Sequence, residues 1–386
     1  MIFAARMRAS FEKYGWLLPI WIPTAFMIGR GAGNTLFAMY LLWAIPSIWK
    51  YLRELRGWLV YLFSALILAG FTSALLSDYT LDSIQAWTKY ALMAATLLFT
   101  IPVVMKIPDA MKIATSTVGL AGVFSMAAFI VKFIYLWPDP DFVPATMIQG
   151  LVPAYLLPFA WIWLRKHTGL IVTLIITGLF IGLLSQAESR TELLTAIVAL
   201  MMLWTFVKRQ WLVPLLLVVI LTPVAIFNRH NVTPPSEVIT GQHLMSDADQ
   251  ISSMRTVIWR QAIQTPPPNI WLGVGPGNVS HYPVVQVSAD GKVKHLHNFI
   301  FDAGYETGAI GLILYLALYG SLTILALRLY FSDSTRTLEP GIWLASFAAI
   351  YTASLLDPSY RSYPLALFMP FGLALFYVAQ SVRKRR

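Results

Sequence analysis

The sequence predicts an all-α polytopic membrane protein of about twelve transmembrane helices, with one large extracytoplasmic loop of mainly helical character. Three observations predict it. Of 386 residues, 58% are hydrophobic and only 12% charged, roughly half the charge of an average soluble domain and too little to cover a water-soluble fold of this length. Many apolar runs reach the roughly 20 residues needed to cross a ~30 Å hydrocarbon layer as helix, and short basic or Pro/Gly-rich pieces separate them. The basic residues, finally, recur on alternate connections. The dyad alternation of outer-membrane barrels is absent, so helices are the only serious reading.

In chain order the spans are expected near 15–30, 33–49, 57–77, 88–105, 114–136, 148–164, 168–186, 191–207, 211–227, 304–330, 341–356 and 364–381. Arg6, Arg8 and Lys13 precede the first apolar stretch and no small-residue cleavage site follows, which reads as a retained first span. With a cytoplasmic N-terminus, the inner segments hold Lys50, Arg53, Arg56, Lys106, Lys112, Arg165, Lys166, Lys208, Arg209, Arg328, Arg336 and the tail from Arg383 to Arg386 in addition. These make 18 of the 28 Lys and Arg. The opposite connections (Gly31 to Asn34, Asp78 to Ser83, Pro138 to Phe142) are neutral or acidic, so both ends are expected in the cytoplasm. The net charge of +10 is mostly this topology signal. Nucleic acid drops out as a partner and membrane lipids remain. The absence of cysteine excludes disulfides, thiolate metal sites and a cysteine nucleophile.

Three regions follow: helices one to nine in 1–227, a loop domain in 228–297, and helices ten to twelve with a basic tail in 298–386. The loop breaks the rhythm, being polar and too long for a turn. It contains His230, His243, His281, His295 and His297, five of the six histidines. Titratable groups concentrated there, in a chain poor in them, mark where chemistry should be sought.

Three clusters stand out, all at the outer face. Glu188-Ser189-Arg190-Thr191-Glu192, with Leu194, occupies the turn before the eighth span. Charges at the hydrocarbon edge cost up to ~3 kcal/mol each unless paired or wetted. An interfacial turn in which Arg190 pairs with Glu188 or snorkels explains them as well as a ligand does. Ser252 to Gln264 reads as an amphipathic helix carrying Arg255, Trp259 and Arg260, and two arginines five apart can project toward a common anion when the helix lies along the membrane. A guanidinium fork suits phosphate oxygens better than an ammonium. The following Gly273-Val274-Gly275-Pro276-Gly277 is no Walker loop, lacking the Lys-Ser/Thr pair. It reads as a plain loop or as a tight turn that brings backbone near a site. His295-Leu296-His297-Asn298, followed by Asp302, Tyr305 and Glu306, stands where the chain re-enters the membrane. Imidazole as a side-chain type titrates near neutral pH and makes a good general base. A structural histidine and, given a third ligand, a zinc site are the other readings, and no third ligand stands at regular spacing.

The sequence resembles the bacterial O-antigen ligases, within the superfamily of O-antigen polymerases and related GT-C-type membrane glycosyltransferases. The resemblance rests on Arg-x-x-x-Leu at an outer-face turn, here Arg190 to Leu194, and on His-Asn, nine residues, then Gly-x-x-Gly, here His297-Asn298 and Gly308 to Gly311. The stretch Arg255 to Gly277 is similar to the superfamily's Arg-Trp helix followed by a Gly-x-Gly turn. The resemblance implies an inner-membrane glycosyltransferase that moves polysaccharide from undecaprenyl diphosphate onto the lipid A core at the periplasmic face, with inversion and without metal, nucleotide or other cofactor. It implies His297 as base and Arg190, Arg255, Arg260 and Lys89 at the diphosphate, with Lys89 equally readable as a snorkelling lysine. Asn298, Tyr305 and Glu306 would orient His297 or hold the acceptor. Gly273, Gly275, Gly277, Gly308, Gly311 and Leu194 would be structural.

An O-antigen or capsule polymerase is the nearest rival, differing only in acceptor. A protein O-glycosyltransferase would carry a further C-terminal soluble domain, where only Arg383 to Arg386 follows the last span. A polyprenyl-glycan transporter would place ionisable residues at mid-membrane in repeated halves. A scaffold would leave the motif order unexplained.

Overall fold

The computed structural model describes residues 11, 13–51, 57–136, 147–186, 190–208, 255–282, 295–332, 338–356 and 363–383. The expected span 211–227, His230, His243, Glu188 and Ser189 lie outside the described residues. Within them the protein is helical, without strand. We number the helices α1 (Leu18–Ile28), α2 (Arg30–Tyr51), α3 (Trp58–Leu75), α4 (Thr80–Val104), α5 (Ala110–Leu136), α6 (Met147–Thr168), α7 (Leu170–Gln186), α8 (Arg190–Leu203), α9 (Arg255–Gln264), α10 (Phe299–Ser332), α11 (Glu339–Leu356) and α12 (Tyr363–Arg383). Every expected span that falls on described residues coincides with one of these helices.

Three of them, among the described residues, are long and apolar enough to cross a membrane: Trp58–Leu75, Ala110–Tyr135 and Phe299–Ser332. Five shorter apolar stretches accompany them, including Leu170–Gln186 and Thr191–Val207. Polar residues and prolines interrupt the rest, such as Asp82 and Pro102 in α4 and Pro153 and Pro158 in α6. The chain is therefore a helical membrane protein in which only part of the bundle is apolar enough to be recognised by hydropathy alone.

The core lies where α6, α11 and α12 meet. Trp343 of α11 packs edge-on to Phe159 of α6 at 4.9 Å and stacks on Phe368 of α12 at 5.2 Å. All three are buried. Its indole N–H donates to Thr115 Oγ1 of α5, and Ser346 Oγ donates to Tyr155 O, so these two donors of the interior are satisfied between helices rather than left in hydrocarbon. On the outside, α7 presents Ile171, Leu174 and Ile175 to the surroundings, as a lipid-facing helix must.

Two helix starts differ from the hydropathy pattern. The fourth helix begins at Thr80, well before the expected 88, because its polar first turns find protein partners: Thr80 Oγ1 donates to Ser77 O and Ser83 Oγ to Pro276 O. The tenth begins at Phe299 because Asn298 caps it: its Oδ1 accepts from the Ile300 and Phe301 N–H groups at 2.9 and 3.4 Å, the interaction for which asparagine is favoured at this position.

Candidate functional site

Helix α10 is broken at Gly308, where φ is 63° and ψ −169°, a conformation open essentially only to glycine. The break orphans four backbone groups, and the glycine loop supplies all four partners. The N–H groups of Val274 and Gly275 donate to Tyr305 O and Glu306 O, both at 2.9 Å. In return the N–H groups of Ala309 and Ile310 donate to Ile270 O and Trp271 O at 2.8 and 3.3 Å. Backbone thus packs on backbone. A Cβ on Gly273 would stand 2.4 Å from Glu306 C, and one on Gly308 would stand 2.2 Å from Trp271 C. The glycine loop and the Gly-x-x-Gly segment are two halves of one joint. Gly311 leaves room for Thr307, whose Oγ1 a Cβ would meet at 1.9 Å.

The tip between α3 and α4 holds the loop from the other side. Ser73 Oγ donates to Leu272 O and Glu306 O, Ser77 Oγ to Val274 O at 2.7 Å and Ser83 Oγ to Pro276 O at 3.1 Å. Asn278, fully buried, donates through Nδ2 to Ser77 Oγ and Ser83 Oγ at 2.6 and 2.8 Å. Glu306, also buried, accepts the Gly277 N–H at 2.7 Å, and Tyr305 donates to Thr265 O just past α9 at 3.0 Å. Tyr305 and Glu306 therefore act within the scaffold. Tyr282 donates to Asp78 at 3.0 Å, and burial, reinforced by this acceptor, pushes its phenol up to about 12, so it stays a neutral donor. Ser77→Ala is expected to cost about 1–3 kcal/mol, because Val274 O and Asn278 Nδ2 both lose a buried partner. The thermal midpoint of the detergent-purified protein checks it.

On this joint His297 is held in the left-handed region, with φ 53°. A residue with a Cβ pays roughly 1–2 kcal/mol for that conformation, and it persists where neighbours over-determine it. Here they do. The preceding peptide is clamped at both ends: the Leu296 N–H donates to Asp302 Oδ1 at 2.9 Å, and Leu296 O accepts the Trp259 indole N–H at 2.8 Å. The Leu296 side chain is buried in a small second core with Ile258, Ala262, Val274, Val279 and Tyr305. The following Asn298, besides capping α10, donates through Nδ2 to Leu355 O in the last turn of α11 at 2.9 Å. His297 itself is half-buried, between the clamp and the outside.

Helix α9 links this histidine to the start of α8. Trp259 reaches Leu296, and Arg255, one turn earlier on the same face, donates to Thr191 Oγ1 in a long bond of 3.4 Å. Thr191 directly follows Arg190, the first residue of α8. Four residues of helix span about 6 Å, so one short helix ties the Arg190 turn to the peptide that orients His297. Glu192, buried in the first turn of α8, lies where a carboxylate favours the helix dipole.

Arg260 does not join this group. It stands about 140° around α9 from Arg255, five residues at ~100° each, and is exposed. Lys89 lies on α4 about 9 Å along the axis from Ser83, on the helix that carries the glycine loop. Leu194 is 40% exposed on α8. Sequence reasoning missed Ser73, Ser77 and Ser83. Their only signal was a run of small polar residues between two apolar helices. Among the described residues no group of His, Asp and Glu is arranged to hold a metal ion.

No curated protein matches the chain. Residues 173–316 match the family model described as O-antigen ligase, a span that takes in Arg190, Arg255, Trp259, the glycine loop, His297 and Gly311. Over that segment, 144 of the 386 residues, the chain is similar to the O-antigen ligase family.

Proposed function

We propose that the protein is an O-antigen ligase, which transfers polysaccharide from undecaprenyl diphosphate to a hydroxyl of the lipid A core at the periplasmic face of the inner membrane. Twelve spans with both termini in the cytoplasm put α9, the glycine loop and His297 on that face. One observation supports the reading above others: α9 bridges the Arg190 turn through Arg255 and the His297 peptide through Trp259. A cationic group and a base are thereby joined by one rigid element, as transfer from a diphosphate requires.

In the proposed reaction the His297 imidazole accepts the proton of the acceptor hydroxyl. The oxygen attacks the anomeric carbon from the face opposite the diphosphate, the C–O bond to the diphosphate breaks, and undecaprenyl diphosphate leaves, with inversion. Arg190 and Arg255 stabilise the charge gathering on the leaving group, usually the largest catalytic contribution. The donor already carries an activated leaving group, so no nucleotide is needed. Arg260, exposed on another face, steers the lipid-linked anion toward the site, and Lys89 contacts it from α4.

The test is a strain lacking the chromosomal copy, complemented with the intact protein or with Arg190→Ala, with lipopolysaccharide run on a gel and carrier-linked glycan extracted. The ligase predicts loss of the ladder and long glycan accumulating on the carrier, in the deletion and in Arg190→Ala. Single repeat units on the carrier would identify a polymerase instead. An unchanged ladder in the deletion would overturn both.

A further inference from the structure

The segment between α9 and the glycine loop, Pro266 to Trp271, enters the joint only through its backbone, yet it displays large apolar side chains. Ile270 is 61% and Trp271 66% exposed. They are not loose. The Asn269 side chain accepts the N–H groups of Trp271 and Leu272 at 3.1 Å each, and Ile270 O and Trp271 O accept from α10 at the Gly308 break. The three prolines have no N–H to satisfy. Such a backbone can sit at the edge of hydrocarbon without the several kcal/mol that each unpaired group costs there.

The surroundings name the occupant. The bonds to Ala309 and Ile310 seat the elbow directly beside Ile310 and Ile313, exposed at 41% and 62% on a helix long and apolar enough to cross a membrane. The elbow thus continues the lipid-facing surface of α10. Ile263, near the end of α9, is likewise 68% exposed, and no charged residue lies between Arg260 and Asp290. Tryptophan is the residue most suited to the boundary between headgroups and acyl chains.

We propose that Pro266 to Trp271 is an interfacial anchor: Ile270 and Trp271 insert among the phospholipids beside α10. The anchor fixes the depth at which α9, and with it Arg255, lies over the bilayer. It depends on the chain being a membrane protein and not on which glycan it transfers.

The natural absence of cysteine makes the test direct. Full-length W271C, I270C and H281C are each labelled with the fluorophore NBD and reconstituted in vesicles of phosphatidylethanolamine and phosphatidylglycerol. His281 is the aqueous reference, since it is exposed and lies 3.6 Å from the exposed carboxylate of Asp82. The anchor predicts blue-shifted emission at 270 and 271, quenching by nitroxide-labelled lipids several-fold stronger than at 281, and little quenching by aqueous iodide. Strong iodide quenching with none from the lipids would overturn it. So would protection from both quenchers, which would mean that the strip is covered by protein, such as a second copy of the chain.

Discussion

Replacing His297 by alanine or asparagine is expected to leave the protein in the membrane at normal levels and to abolish glycan transfer. General-base catalysis contributes about 10²–10⁴-fold, enough to erase a lipopolysaccharide ladder. Two replacements are needed because the position is left-handed, with φ 53°. Alanine bears the strain of that conformation, whereas asparagine tolerates it well but is no base at neutral pH. If the histidine were only a turn residue, His297→Asn would keep activity and His297→Ala would lose stability. If it is the base, both variants lose transfer, His297→Asn with a thermal midpoint near that of the intact protein. Transfer by purified His297→Asn at more than a tenth of the normal rate would remove the histidine from the mechanism.

The neighbours of His297 carry much of the anchoring of this turn, and a small effect on stability is expected from its replacement. Leu296 contributes its backbone N–H, carbonyl and buried side chain, and Asn298 caps α10 and ties it to α11. Trp259 is accordingly a positioning residue. It stacks on Phe301 at 5.9 Å and fixes the peptide orientation through its indole N–H. Trp259→Phe keeps an aromatic ring over Phe301 and removes the hydrogen bond, so it should lower the rate of transfer about fivefold, for a bond worth roughly 1 kcal/mol, with little change in donor affinity.

This division of labour explains what could be read in the sequence. Apolar length and alternating basic connections carry the helices, because membrane insertion depends on composition that any stretch of chain displays by itself. The motif residues Arg190, Arg255 and His297 were legible because charge and imidazole are rare in this chain. Their supports were not. The Gly273–Gly308 joint is made by main-chain atoms more than thirty residues apart, and a backbone hydrogen bond leaves no side-chain signature beyond the glycines that permit it. Ser73, Ser77 and Ser83 read as an ordinary polar turn, since nothing local says that their hydroxyls meet the carbonyls of a distant loop. The polar start of α4 was missed for the same reason: the groups that satisfy it are elsewhere in the chain. Arg260 stands on another face of α9, five residues from Arg255, so spacing along the helix alone does not bring the two arginines together.

The joint therefore deserves the harsher test. Gly308→Ala is expected to deplete the protein from the membrane. The new Cβ would lie 2.2 and 2.3 Å from Trp271 C and O and 2.4 Å from Leu272 N, all backbone atoms that cannot rotate away. Its φ of 63° with ψ of −169° adds about 1–3 kcal/mol of strain for any residue with a side chain. If α10 escapes by straightening, Val274 N–H, Gly275 N–H, Ile270 O and Trp271 O all lose their partners, at about 1 kcal/mol each or more. That second route alone costs on the order of 4 kcal/mol, approaching the whole stability of many domains. Gly320, on the same helix, is the control: nothing lies within 4 Å of a Cβ there, so Gly320→Ala should be neutral or stabilise by up to about 1 kcal/mol through helix propensity. Quantitative immunoblots of membranes and thermal midpoints in detergent decide the matter. Equal abundance and equal midpoints for the two variants would mean that α10 does not depend on its break, and the glycine loop would lose its place as the base on which His297 is held.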